Sequence, residues 1–159
     1  MHNGTDSLLA VDLGLKTGLA LYRQDGRLSW YRSKNYGSIG RLKRDVHNIL
    51  GSISSLRYII LEGDKSLSAV WEQEAARRNM YTRNITAEQW RRRLLYEREQ
   101  KSGPDAKINA DHLARKVIKW SNLSGSTSLR HDAAEAIMIG LWAVIERGWL
   151  QEVPPEIRR

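Results

Sequence analysis

The chain has 159 residues, with 26 Lys and Arg against 18 Asp and Glu, a formal charge of +8 and a pI near 10.0. The absence of cysteine excludes disulfides, thiol catalysis and cysteine-ligated zinc, and no run reaches the ~18 uncharged apolar residues of a membrane span. The charge favours a polyanionic partner, nucleic acid first, and the length fits one domain over 1–159 with tails at 1–7 and 151–159.

Leu8-Leu9-Ala10-Val11, with Leu13 beyond, reads as a strand buried on both faces and interrupted by Asp12. A carboxylate there is costly unless it is paired or holds a metal, although a lone D-x-G also suits a turn cap. Gly14 and Gly18 bracket a turn, Leu19–Tyr22 resumes as a second strand, and Leu28–Tyr31 follows Asp25-Gly26 as a third. Ser33–Ser38 reads as a loop, and Ile39, Leu42, Val46, Ile49 and Leu50 then recur at helical spacing up to Gly51. Tyr58–Leu61 is a short buried strand that ends in Glu62-Gly63-Asp64, the last read as a solvated turn acid, with an extra ligand role as the alternative.

A helix capped by Ser66 runs to Asn79, a brief strand spans Tyr81–Ile85, and Thr86-Ala87-Glu88-Gln89 fits a capping box. Helix is expected from Trp90 until Lys101–Asp105 breaks it. Another follows over Ala106–Trp120, with Ile108, Leu113, Val117 and Trp120 inward. Ser121–Ser128 is a loop, and an apolar helix occupies Asp132–Arg147. Early antiparallel strands followed by strand–helix units predict an α/β fold, a mixed sheet flanked by helices.

Carboxylates thus stand at the ends of buried elements. Asp12 lies in the first strand, Glu62 closes the fourth, and Asp132 and Glu135, three apart, share a face of the last helix. Acids at a helix start also have a dipole explanation. Hard oxygen ligands without Cys or paired His suit Mg²⁺, with Mn²⁺ as substitute, and two such ions suit phosphodiester cleavage.

VDLGLKTGLALY, IILEGD and HDAAEAIMIGLWA, in this order, resemble the opening strand, the Glu-ended strand and the closing helix of the RuvC family of Holliday-junction resolvases, within the ribonuclease H-like superfamily. The resemblance implies a five-stranded mixed sheet and a metal-dependent endonuclease. Asp12, Glu62, Asp132 and Glu135 would be its catalytic metal ligands. Asp105-Ala106-Lys107 resembles the region before the family's penultimate helix, which implies a scissile-phosphate contact for Lys107. Glu135 departs from the commoner Asp. No aromatic wedge follows Glu62, so Leu67 or Trp71 would have to serve, Trp71 being also a core candidate. His131 is read as a helix-entry residue beside the acids, with a proton-transfer role as the alternative; His112 has a weaker claim.

Trp90–Lys119 concentrates positive charge, and Arg91, Arg92, Arg93, Lys101, Lys107 and Arg115 are expected to bind DNA phosphates, against the alternative of a solvated face laced with acids. The implied substrate is branched DNA, four-way junctions foremost. The implied working unit is a homodimer paired through Leu67, Val70 and Trp71, or else those residues face the sheet. The opening MHNGTDS shows no secretory pattern, so a cytoplasmic or nucleoid-associated protein of phage or bacterial type, without membrane contact, is expected. The competing reading is a catalytically silent nucleic-acid-binding module of the same fold. An actin- or sugar-kinase-type phosphotransferase, suggested by the first hairpin, needs two large domains for which this length has no room.

Overall fold

The computed structural model describes residues 5–124 and 128–158. Strands β1 (Ser7–Leu13), β2 (Lys16–Arg23) and β3 (Leu28–Asn35) form an antiparallel meander. Then come α1 (Ile39–Ser52), β4 (Leu56–Gly63), α2 (Lys65–Arg77), β5 (Tyr81–Ile85) and α3 (Ala87–Leu94). A 3₁₀ turn at Glu97–Gln100 leads to α4 (Gly103–Trp120), α5 (His131–Glu146) and α6 (Pro155–Arg158). The five strands lie in the order β3-β2-β1-β4-β5, with β4 parallel to both β1 and β5.

Alternation along β1 divides the core in two. Leu9, Val11 and Leu13 face α1 and α2, joined by Leu19, Leu21, Ile59 and Leu61. Leu8 and Ala10 face the other way, with Ala20, Tyr22 and Ile60, toward α3, α4 and α5. Both faces of β1 are therefore covered, as its unbroken apolar run requires. Helix α5 is buried around its circumference, from Ala133 to Ile145, because the sheet lies on one side and α3 and α4 on the other.

Several elements differ from the expectations. Strand β3 runs to Asn35, through what reads as a loop, because it is an edge strand whose polar residues need no apolar partner; Asn35 pairs with Lys16. Asp64, not Ser66, caps α2, and its Oδ1 accepts from the Ser66 amide at 2.9 Å and hydroxyl at 2.7 Å. Helix α3 stops at Leu94, short of the expected break. Ser102-Gly103-Pro104 starts α4 instead of ending its predecessor, since a proline in the first turn forfeits no intrahelical bond.

Ile108 is exposed and Trp120 only half-buried, while Ala106, Ala110, Leu113, Ala114 and Val117 make the inward face. Leu67 and Trp71 are packed under α2 against the sheet, so neither is free to open a junction or to form a dimer surface.

The segments read as tails are held as far as they are described. Ser7 opens β1, with its hydroxyl 2.8 Å from that of Ser55. Ile157 is fully buried, and Arg158 Nη1 donates to the Leu94 carbonyl at 2.8 Å. Residues 1–4 and 159, and positions 125–127 of the expected Ser121–Ser128 loop, lie outside the described residues. Among the described residues no helix is long and apolar enough to cross a membrane.

Candidate functional site

Side-chain parity aims the acids. Asp12 falls on the same side of β1 as Leu8 and Ala10, and Glu62 on the same side of β4 as Ile60, so both point toward α5. The parallel register sets them side by side, Asp12 opposite Glu62. On the other side of Asp12, β2 presents Gly18.

Along that face of β2 the side chains shrink from Tyr22 through Ala20 to Gly18, which lets the first turn of α5 descend onto the sheet. A Cβ built on Gly18 would lie 1.8 Å from the Asp132 carbonyl oxygen. Farther along, Gly140 leaves room for the Tyr22 ring, whose hydroxyl donates to the Ile137 carbonyl at 2.6 Å. Gly18→Ala is therefore expected to cost about 3 kcal/mol, read as a lower urea midpoint, because the clash is with backbone and cannot relax by a rotamer change. A midpoint equal to wild type would show that α5 is not seated on β2.

The descent of α5 brings Glu135 to the strand ends. One carboxylate oxygen from each of Asp12, Glu62 and Glu135 lies within 4.8 Å of the other two. Asp132 borders the same cleft but is outside that triad; its Oδ1 and Oδ2 accept from the Ser33 hydroxyl at 2.8 and 2.7 Å.

Burial, then the charges of Glu135 and Glu62, pushes the Asp12 carboxyl up to about 9. Burial and Glu135 also raise Glu62, opposed by its bond with Asp12, the Arg91 guanidinium and the Ala87 amide. Three half-buried carboxylates that each offer a hard oxygen to one point form a donor set suited to a metal ion.

No family model and no curated protein sequence matches the chain. Among solved structures, T. thermophilus RuvC in complex with a Holliday junction substrate superposes with a TM-score of 0.62, covering 90% of this chain and 96% of that one at 14% identity. The chain has the RuvC fold. This is the ribonuclease H-like mixed sheet flanked by helices expected from the motifs. The catalytic core domain of BIV integrase aligns at a TM-score of only 0.37 and 6% identity, covering 87% of this chain and 82% of that one.

Within the RuvC fold the cations separate. Lys107 lines the acidic cleft, a hollow of about 400 Å³, together with Lys16, Arg130 and His131. Lys16 and Arg130 were not singled out in the sequence; their signal, a basic residue within a few positions of a motif acid, is too common to stand out. Ser33 carries no such signal, since the polar run Ser33–Ser38 has the composition of a loop.

Arg91, Arg92 and Arg93, expected as DNA contacts, point in different directions from α3. Successive helical residues are rotated by about 100°, so three in a row fan apart. Arg91 Nη2 lies 3.7 Å from Glu135 Oε1, Arg92 pairs with Glu88, and Arg93 Nη1 lies 3.7 Å from Glu146. Arg115 pairs along its own helix with Asp111 at 2.8 Å. Lys101 is exposed beyond the 3₁₀ turn, and His112 is exposed on α4.

Proposed function

We propose that the chain is a divalent-metal-dependent endonuclease acting on branched DNA, four-way junctions foremost. The observation that carries this is the convergence of Asp12, Glu62 and Glu135 within 4.8 Å at the strand ends of a RuvC-fold sheet. The RuvC of that comparison is itself bound to a Holliday junction.

Asp12, Glu62 and Glu135 would hold the cation, with Asp132 beside them, its carboxylate oriented by Ser33. Such a cation, when bound, lowers the pKa of attacking water and neutralises charge on the phosphate. The protein's own part is to bind and orient. Lys107, exposed at the lip of the cleft, meets a non-bridging phosphate oxygen, and Lys16 and Arg130 hold the flanking backbone. Lys107→Ala is expected to lower the single-turnover cleavage rate about 100-fold and junction affinity only a few-fold. Equal losses in both would demote Lys107 to an ordinary backbone contact.

The deciding experiment is a cleavage gel comparing four-way, flap and linear DNA with Mg²⁺, with Mn²⁺ and with chelator. Metal-dependent cutting confined to branched substrates is expected. Junction binding without cutting in any metal would support a silent binding module of the same fold.

Resolving a four-way junction needs two symmetry-related cuts, so the working unit is proposed to be a homodimer. Of the residues expected to pair, Val70 alone is only partly buried, and it lines the outer groove between α1 and α2 with Lys43, Arg44, His47, Glu74 and Arg77. A two-fold interface there would bring the Lys43, Arg44 and Arg77 charges of two copies together, a repulsion that bound DNA would relieve. Sedimentation with and without junction DNA tests this, and a monomer in both states that still makes paired cuts would refute the dimer.

A further inference from the structure

Arg91, unlike Arg92 and Arg93, turns toward the acidic cluster. It follows the fully buried Trp90 on α3, and its side chain is only 24% exposed. Its guanidinium carbon lies 5.3 Å from the Trp90 ring centroid, and its buried Nε has no hydrogen-bond partner among the described residues. Its Nη2 lies 3.7 Å from Glu135 Oε1, too long for a hydrogen bond. A guanidinium keeps its charge in such a setting. Here it is aimed at the one member of the carboxylate triad that comes from a helix instead of a strand.

Resting on the metal-site reading above, we propose that Arg91 is the resident counter-ion of the acidic cluster: a positioning residue that holds Glu135 and sets how tightly the cluster takes a divalent cation. Its fixed positive charge offsets part of the repulsion among Asp12, Glu62 and Glu135 in the metal-free protein. The same charge opposes an incoming cation that would use the Glu135 oxygen, since like charges a few ångströms apart in a half-buried site are weakly screened. The role differs from a DNA phosphate contact, which needs an exposed head group and has no reason to face a carboxylate.

The test compares the full chain with Arg91→Ala and Arg91→Lys, without DNA, by calorimetric titration with Mn²⁺. The alanine variant is expected to bind Mn²⁺ about tenfold more tightly, and the lysine variant to stay near wild type. In chelator the alanine variant should unfold at a lower temperature, so that the rise produced by Mn²⁺ widens. Unchanged or weaker Mn²⁺ binding by the alanine variant overturns the proposal and leaves the nuclease reading standing. That result with a salt slope of DNA affinity reduced by about one would make Arg91 a phosphate contact. No Mn²⁺ binding by any of the three proteins overturns both readings. Should the alanine variant not fold, Arg91→Gln removes the charge while keeping length, and the same comparison applies.

Discussion

Asp12→Asn is expected to lower strand cleavage at least about 1,000-fold while leaving four-way DNA binding measurable, and at the same time to make the metal-free protein more stable. The two effects have one cause. Asp12 sits between Glu62, its register partner on β4, and Glu135 on α5, and burial with these two charges pushes its carboxyl to about 9. An amide is a poor ligand for a hard cation, but it removes a costly ionisable group and keeps its shape. The stability gain should be about 1–3 kcal/mol at neutral pH, or roughly 2–4 °C in Tm per kcal/mol for a chain of this size. Cleavage gels and thermal melts in chelator measure the two halves independently. Wild-type cleavage by the variant would sink the ligand assignment, and a variant less stable than wild type in chelator would show that Asp12 is already compensated.

How much of this site was legible depends on what carried each residue there. Asp12 and Glu62 stand out in sequence because each interrupts or ends an apolar run, and strand parity plus parallel register makes neighbours of them. Asp132 and Glu135 were recognisable as a pair on one helix face, but their separation was not. Asp132 is engaged by Ser33 while Glu135 alone joins the triad, a distinction set by how deeply α5 sits over Gly18.

The basic residues were the least legible, because the sign of a side chain says nothing about its direction. Arg91, Arg92 and Arg93 are consecutive and alike in sequence, yet one turns toward the acids and the other two pair with Glu88 and Glu146 on α3 and α5. Polar composition conceals regular structure at Ser33–Asn35, which belongs to edge strand β3. A proline likewise reads as a stop in sequence, whereas Pro104 lies in the first turn of α4, where it costs no hydrogen bond.

Divalent-cation affinity should rise steeply with pH, about tenfold per unit between roughly pH 6 and 9, and flatten above. Asp12 titrates near 9 in the folded chain against an ordinary 3.8, so between these values the metal-free folded protein keeps a proton that the unfolded chain has released. Stability without metal is therefore greatest below about pH 4 as far as this group is concerned. It declines as pH rises and is fully penalised only beyond about 9. A cation that takes the Asp12 oxygens must displace that proton, so binding gains what the metal-free state loses. Calorimetric titrations with Mn²⁺ in two buffers of different ionisation enthalpy should report close to one proton released per ion at pH 7. Asp12→Asn should abolish that release and level the decline of the chelated protein's Tm between pH 5 and 9. Release of no proton by the wild-type chain would mean that Asp12 is ionised before the cation arrives, with Arg91 or another cation already balancing the cluster.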